Sequence, residues 1–184
     1  TDDIEVKVGN ASGIVESTSS WTGAFEATDG AFLSLNSVTN LSVNGAQEAY
    51  GINVARKGAA SVNGNFDATV SGGEWVSGLE AYNGSVINLG NADSVVALTV
   101  TANSETSSDP EDGVRAHGIF ACGQTENVYE DGEIDEVAYG GSTISVNASK
   151  LTVSSTSNYG MAYGICADDN GVVTTATFPA GTEK

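Results

Sequence analysis

The sequence predicts an all-β fold, and within that class a right-handed parallel β-helix (a β-solenoid) with three short strands in each turn of about 27 residues. Three observations lead to this prediction: a composition that favours strands over helices, a four-residue string that recurs along the chain, and an interval of 27 residues between the first three copies of the wider pattern around it. About five to six such turns fit into residues 1–184, which we interpret as one domain.

The composition is that of a strand-rich, acidic protein. Apolar residues make up 40% of the chain and charged residues only 16%, a profile typical of β-rich extracellular proteins. Acids outnumber bases by 24 to 6, and the net charge of −18 repels nucleic acid and anionic membranes. No apolar run approaches the roughly 18 residues of a membrane span. We therefore expect neither a nucleic-acid partner nor membrane insertion.

The recurring string marks one predicted strand of each turn. It reads "AYGI" at 49–52 and 162–165, and "AHGI" at 116–119. The residues that follow alternate between apolar and polar, which indicates a strand with one buried face. Phe25, Ile52 and Leu79 occupy equivalent positions at intervals of 27 residues, so they are expected to be stacked neighbours facing a common core.

Two further strands complete each predicted turn. A string resembling "LTV" recurs at 40–43, 67–70, 97–100 and 150–153, and an alternating stretch lies between it and the preceding "AYGI"-like string. Parallel stacking of such turns buries a continuous core, and the handedness of crossover connections favours a right-handed coil. A jelly roll or sandwich is the main competing fold, and the regular spacing argues against it.

Two insertions interrupt the spacing, at about 101–115 and 123–141. Ten of the 24 acids lie between Glu105 and Glu136, so these insertions carry much of the charge. Insertions in repetitive folds become loops on one face and often bind partners. The residues that we expect to contact a partner are Asp109, Glu111, Asp112, Tyr129 and Asp131.

The same acidic loops are candidates for Ca²⁺ binding, because clustered carboxylates suit a hard cation. The candidate ligands are Asp109, Glu111, Asp112, Glu130, Asp131, Glu133 and Asp135. Neither loop follows an EF-hand pattern, and simple solvation of the acids is the alternative interpretation. No other cofactor is expected.

Cys122 and Cys166 are expected on the outer face of neighbouring strands. Cys166 aligns with Phe120, which places Cys122 two residues further along. This diagonal offset gives roughly 8 Å between the Cα atoms, longer than most disulfides allow. A disulfide and two free thiols both remain open, and a disulfide would favour an oxidising compartment.

Catalytic groups are few. His117 is the single histidine, and we interpret it as a position that tolerates planar polar side chains rather than as a general base. Glu26 and Glu80 share an outward position two strands apart, and we expect both to be solvated rather than to act as an acid–base pair. The prediction is that the protein is not an enzyme.

The repeats "GI-x-A…G…LTV" over roughly residues 21–178 resemble those of autotransporter passenger domains and related bacterial surface adhesins, which share the β-helix with pectate-lyase-like proteins. The resemblance implies an extracellular, cell-surface location and a role in adhesion, aggregation or structural display. It carries over no catalytic residue.

The two ends of such a fold present unpaired strands, and the sequence predicts these end strands at residues 3–8 and 172–178. We therefore predict a non-catalytic structural or adhesive protein of a bacterial surface that stacks end to end into a fibre and contacts a host or cell-surface protein or glycan. The alternative is a carbohydrate-active enzyme or carbohydrate-binding module, in which Tyr50, Trp75 and Tyr82 hold sugar rings.

Overall fold

A computed structural model describes residues 5–105, 113–123, 125–130 and 133–177. Its regular structure in these ranges is entirely β-strand. The strands are β1 (Glu5–Glu16), β2 (Trp21–Ala27), β3 (Phe32–Asn44), β4 (Glu48–Val54), β5 (Ala59–Val62), β6 (Phe66–Gly72), β7 (Trp75–Tyr82), β8 (Val86–Leu89), β9 (Val95–Ala102), β10 (Arg115–Cys122), β11 (Thr125–Glu130), β12 (Glu133–Ala138), β13 (Thr143–Ala148), β14 (Lys150–Ser157), β15 (Met161–Asp168) and β16 (Val172–Thr177).

The strands form two parallel sheets and one hairpin. The larger sheet has nine strands in the order β14-β9-β6-β3-β5-β8-β13-β16, with β1 paired to β3, and it curls almost closed. The smaller sheet has five strands in the order β15-β10-β7-β4-β2. The all-β class and the parallel pairing agree with the sequence. The right-handed β-helix with three short strands per turn is wrong, because the strands sort into two sheets rather than three.

The physical reason for this difference lies in β3. The sequence pattern predicts separate strands at "FLSL" and "NLSV", yet the chain stays extended through the segment between them and forms one strand of 13 residues. Val38 in that segment is fully buried, so its side chain holds the segment in the sheet. The register shifts between Val38 and Leu41, where Asn40 has φ of 52°, which is the signature of a bulge and not of a strand end. β3 thereby joins two ladders into one sheet.

Residues spaced by 27 positions do lie side by side in the five-stranded sheet. Phe25 is paired with Ile52, and Ile52 with Leu79. The same column continues through Ile119 to Ile165. Ile52, Leu79 and Ile119 are completely buried in a core that both sheets line with Leu, Ile, Val and Ala. Burial of a large aliphatic side chain of this kind contributes about 1.5–3 kcal/mol.

A column of glycines explains the "G" of "AYGI". Gly51, Gly78 and Gly118 follow one another across β4, β7 and β10. A Cβ on Gly51 would stand 2.5 Å from the carbonyl oxygen of Gly78, and one on Gly78 would stand 2.6 Å from that of Gly118. These glycines lie within strands, where they permit close approach of neighbouring backbones.

The second acidic insertion contains an antiparallel hairpin. β11 pairs with β12 from Thr125 opposite Ala138 to Glu130 opposite Glu133. β13 resumes the parallel ladder directly after the hairpin, with Thr143 beside Val86. Residues 106–112, in the first insertion, lie outside the described residues.

Candidate functional site

The outer side of the five-stranded sheet carries a buried polar and aromatic cluster, which we call the Glu80 cluster: Trp75, Ser77, Glu80, His117 and Phe120. Ser77 and Glu80 are three residues apart on β7, and simple alternation would place them on opposite faces. They are instead hydrogen-bonded to each other. β7 must therefore change direction at Gly78, so that both side chains converge on the outer face.

Glu80 is the centre of this cluster. Its Oε2 accepts one hydrogen bond from the Ser77 hydroxyl at 2.5 Å and another from the Trp75 indole Nε1 at 2.8 Å. Only 6% of the residue is exposed. Burial raises the pKa of the carboxyl to about 7 against the lowering effect of these two hydrogen bonds, and the charge of Glu48 adds to the rise. A carboxyl with this pKa can give or take a proton near neutrality.

His117 lies among aromatic rings beside Glu80. Its ring is stacked on Phe120 at 4.5 Å and on Tyr163 at 5.4 Å between centroids, and Trp75 lies at 5.0 Å. Burial, followed by the positive charge of Arg115, lowers the pKa of His117 to about 4. Among the described residues, its Nδ1 has no hydrogen-bond partner. His117 is therefore neutral at physiological pH, in agreement with a packed planar side chain.

Tyr50 extends the cluster towards β2. Its hydroxyl donates a hydrogen bond of 2.6 Å to Glu48 Oε2, and its ring lies 5.5 Å from that of Trp21. Burial raises the pKa of Tyr50 above its ordinary value, with the charge of Glu80 as the next contribution. Tyr50 and Trp75 thus pack against their neighbours, which was the alternative to holding sugar rings that their sequence positions left open.

The two glutamates singled out from the sequence have different surroundings. Glu26 lies beside Asn53, and Asn53 lies beside Glu80, as their spacing predicted. Glu26 is exposed, as expected. The expectation that Glu80 is solvated is wrong, because the bend at Gly78 turns its carboxyl towards Ser77 and Trp75. The sequence signal that was missed is the glycine between two polar residues in "SGLE" at 77–80.

Both cysteines are free thiols in the structure. Cys166 is paired with Phe120 and Cys122 with Asp168, the two-residue offset that the sequence predicted. Burial, followed by the negative charges of Asp169 and Asp168, raises the pKa of Cys122 to about 12, so this thiol is unreactive at neutral pH. Burial also raises the pKa of Cys166.

The acidic candidates for Ca²⁺ and partner binding have side chains that lie outside the described part of the structure. Those outside the described residues are Asp109, Glu111, Asp112 and Asp131. Those in the hairpin, where the backbone alone is described, are Tyr129, Glu130, Glu133 and Asp135. In the part of the chain with described side chains, no group of three or more His, Cys, Asp or Glu is arranged to hold a metal ion. Calcium binding stays a prediction.

The two ends of the sheets are the second candidate site. One end consists of β1 and β2, and the other of β14, β15 and β16, which contact one another. Of the eight exposed large apolar side chains among the residues with described side chains, six belong to these ends or to the segment that leads into β15. They are Ile14, Trp21, Tyr159, Met161, Ile165 and Val172. Ile165 is 48% exposed, although Ile119 beside it is 0% exposed.

No helix among the described residues is long and apolar enough to cross a membrane. No protein-family model matches the chain, and neither a curated protein nor a solved structure matches it significantly.

Proposed function

We propose that this chain is a non-catalytic structural or adhesive protein of a bacterial surface that associates with copies of itself through the ends of its sheets. The observation that carries the proposal is the exposure of apolar core positions at the edge strands. Ile165 continues the buried column of Ile52, Leu79 and Ile119, yet nearly half of its surface is exposed. Covering such positions removes apolar surface from water.

The backbone at both ends favours the same proposal. β15 and β2 are the outer strands of the smaller sheet, and each pairs with one neighbour among the described residues. An edge strand presents unpaired N–H and C=O groups that pair readily with another strand. Strand addition supplies these hydrogen bonds while it buries the exposed apolar side chains.

The net charge of −18 opposes association, because copies of the chain repel one another. Raising the salt concentration from about 0.02 M to about 0.5 M shortens the screening length from roughly 20 Å to roughly 4 Å. Light scattering after size-exclusion chromatography, together with electron microscopy, tests the proposal over this range. We expect oligomers that lengthen with salt and protein concentration. A strictly monomeric species at every salt and protein concentration would contradict it.

A carbohydrate-active or carbohydrate-binding role is the second candidate, and Glu80 is the observation that favours it. Its pKa, which burial raises to about 7, is a property of a general acid in glycoside chemistry. A glycan panel assayed for binding and for product release tests this role. Glu80→Gln keeps the shape of the side chain and removes the proton. Turnover that this variant abolishes would favour the enzyme over the structural protein.

A further inference from the structure

We infer that the second copy docks in one defined register, with its β2 beside β15 of the first copy and its β1 beside β14 and β16. This inference rests on the proposed self-association and adds its geometry. Strands within both sheets are parallel throughout, so the two ends have the same strand direction. A copy added by translation therefore continues each ladder without reversing any strand.

The register follows from columns that run through the molecule. In the smaller sheet, Glu26 is paired with Asn53, Asn53 with Glu80, Glu80 with Phe120, and Phe120 with Cys166. Continuing this column into the next copy places Cys166 beside Glu26 of the second copy. The neighbouring core column places Ile165 beside Phe25 of the second copy in the same way.

The side chains of the two ends are complementary in this register. Phe25 is only partly buried against the core, and Ile165 needs an apolar neighbour on its open side. On the outer face, Tyr163 is aligned with Gly23 of the second copy. The indole of Trp21 lies over Gly23 and is 38% exposed, so the ring of Tyr163 meets an aromatic surface there.

The larger sheet fits the same translation. Its columns bring Leu151 beside Ala11 and Val153 beside Gly13 of the second copy. Leu151 and Val153 are partly buried hydrophobic residues that already pack against the core. Small residues opposite them leave room for these larger side chains to be covered.

The match of side chains between the two ends favours a second copy as the occupant. Leu151 and Val153 of β14 meet small residues of β1. Glu26 meets Cys166 and Glu16 meets Thr156, so neither glutamate faces an acid in these columns.

Disulfide trapping tests the register. The variant C122S/E26C keeps Cys166 and places a second thiol at the exposed position that the register puts beside it. The two Cα atoms then stand about 5 Å apart, within disulfide range, and the bond must be intermolecular because Glu26 and Cys166 lie at opposite ends of one chain. Mild oxidation should give a ladder of covalent oligomers that reductant dissolves.

The matched control is C122S/T28C, whose new thiol lies two residues further along and roughly 8 Å from Cys166 in this register. We expect it to form linked oligomers at least about tenfold more slowly. Faster linkage of T28C, or association without linkage of E26C, would overturn the register while leaving the proposed function intact. Neither linkage nor association at any protein concentration would overturn both. C122S/E26C/C166S, which lacks the second partner, should lose the ladder.

Discussion

The Ser77 hydroxyl and the Glu80 carboxyl are joined by a hydrogen bond of 2.5 Å, although the two residues are three apart on one strand. The contact exists because β7 bends at Gly78. The same bend buries the Glu80 carboxyl, and this burial raises its pKa to about 7. Stability is therefore linked to pH through a residue that lies outside the shared core.

Replacing Glu80 with Gln should remove one part of the pH dependence of unfolding. The folded-state pKa is raised, so the folded protein holds this proton more tightly, and stability falls as pH rises from about 4.5 to about 7. Over this interval, the free energy of unfolding of the wild type should fall by about 3 kcal/mol more than that of E80Q. Urea denaturation at successive pH values measures it. Curves that stay parallel would show that Glu80 is not buried in solution.

Replacing His117 with Phe should remove a pH dependence of the free energy of unfolding that has the opposite sign. The folded-state pKa is lowered to about 4, so the unfolded chain takes up the proton first, and wild type loses stability as pH falls from about 6.5 to about 4. H117F keeps the stacking on Phe120 and Tyr163 without the charge. Between about pH 4.5 and 6.5 the contributions of His117 and Glu80 oppose each other, so H117F should reveal the Glu80 slope. An unchanged pH profile would contradict the burial of His117.

Replacing Gly78 with Ala should destabilise the five-stranded sheet. The added Cβ would stand 2.6 Å from the carbonyl oxygen of Gly118 and 3.1 Å from Leu98, so the backbones must separate. We expect a cost of about 1–3 kcal/mol, the usual range for overpacking. Gly140→Ala is the matched control, because nothing lies within 4 Å of its Cβ position. Equal unfolding midpoints for the two variants would refute the close approach.

Replacing Leu79 with Ala should create a cavity at a completely buried position. The loss of apolar contact and the residual cavity together cost about 2–5 kcal/mol. Val86→Ala is the comparison, because Val86 is an exposed residue of β8 and its truncation should cost less than about 0.5 kcal/mol. Thermal and urea unfolding of the three proteins measure the difference. A small effect at Leu79 would mean that the core is looser than described.

The columns of the five-stranded sheet could be predicted from the sequence because the repeated pattern can be aligned copy by copy. Ile52 and Leu79 are neighbours because they occupy equivalent positions of the repeated pattern, 27 residues apart, and aligning the later copies on the same pattern gives the offset of Cys122 from Cys166. The number of sheets could not be predicted. It depends on whether Asn40 ends a strand or forms a bulge within it, and buried Val38 decides this through tertiary contact.

The burial of Glu80 was equally hidden from the sequence. Alternation correctly places the Glu80 side chain on the outer face. An outward side chain is nevertheless buried when neighbouring side chains cover it. Trp75 and Phe120 are adjacent on the same face only through the pairing of β7 with β10. Propensity and periodicity describe one strand at a time and carry no information about this lateral contact.

The hairpin of β11 and β12 has a consequence for how the gene can vary. Val86 is paired with Ala59 on one side and with Thr143 on the other, and the ladder is continuous across both pairings. The hairpin lies between β10 and β13 along the chain, and it leaves this ladder in register. Codons can therefore be gained or lost within the hairpin, between Thr125 and Ala138, without moving any strand of the two sheets, which makes this interval the natural place for related chains to diverge and for a foreign peptide to be displayed.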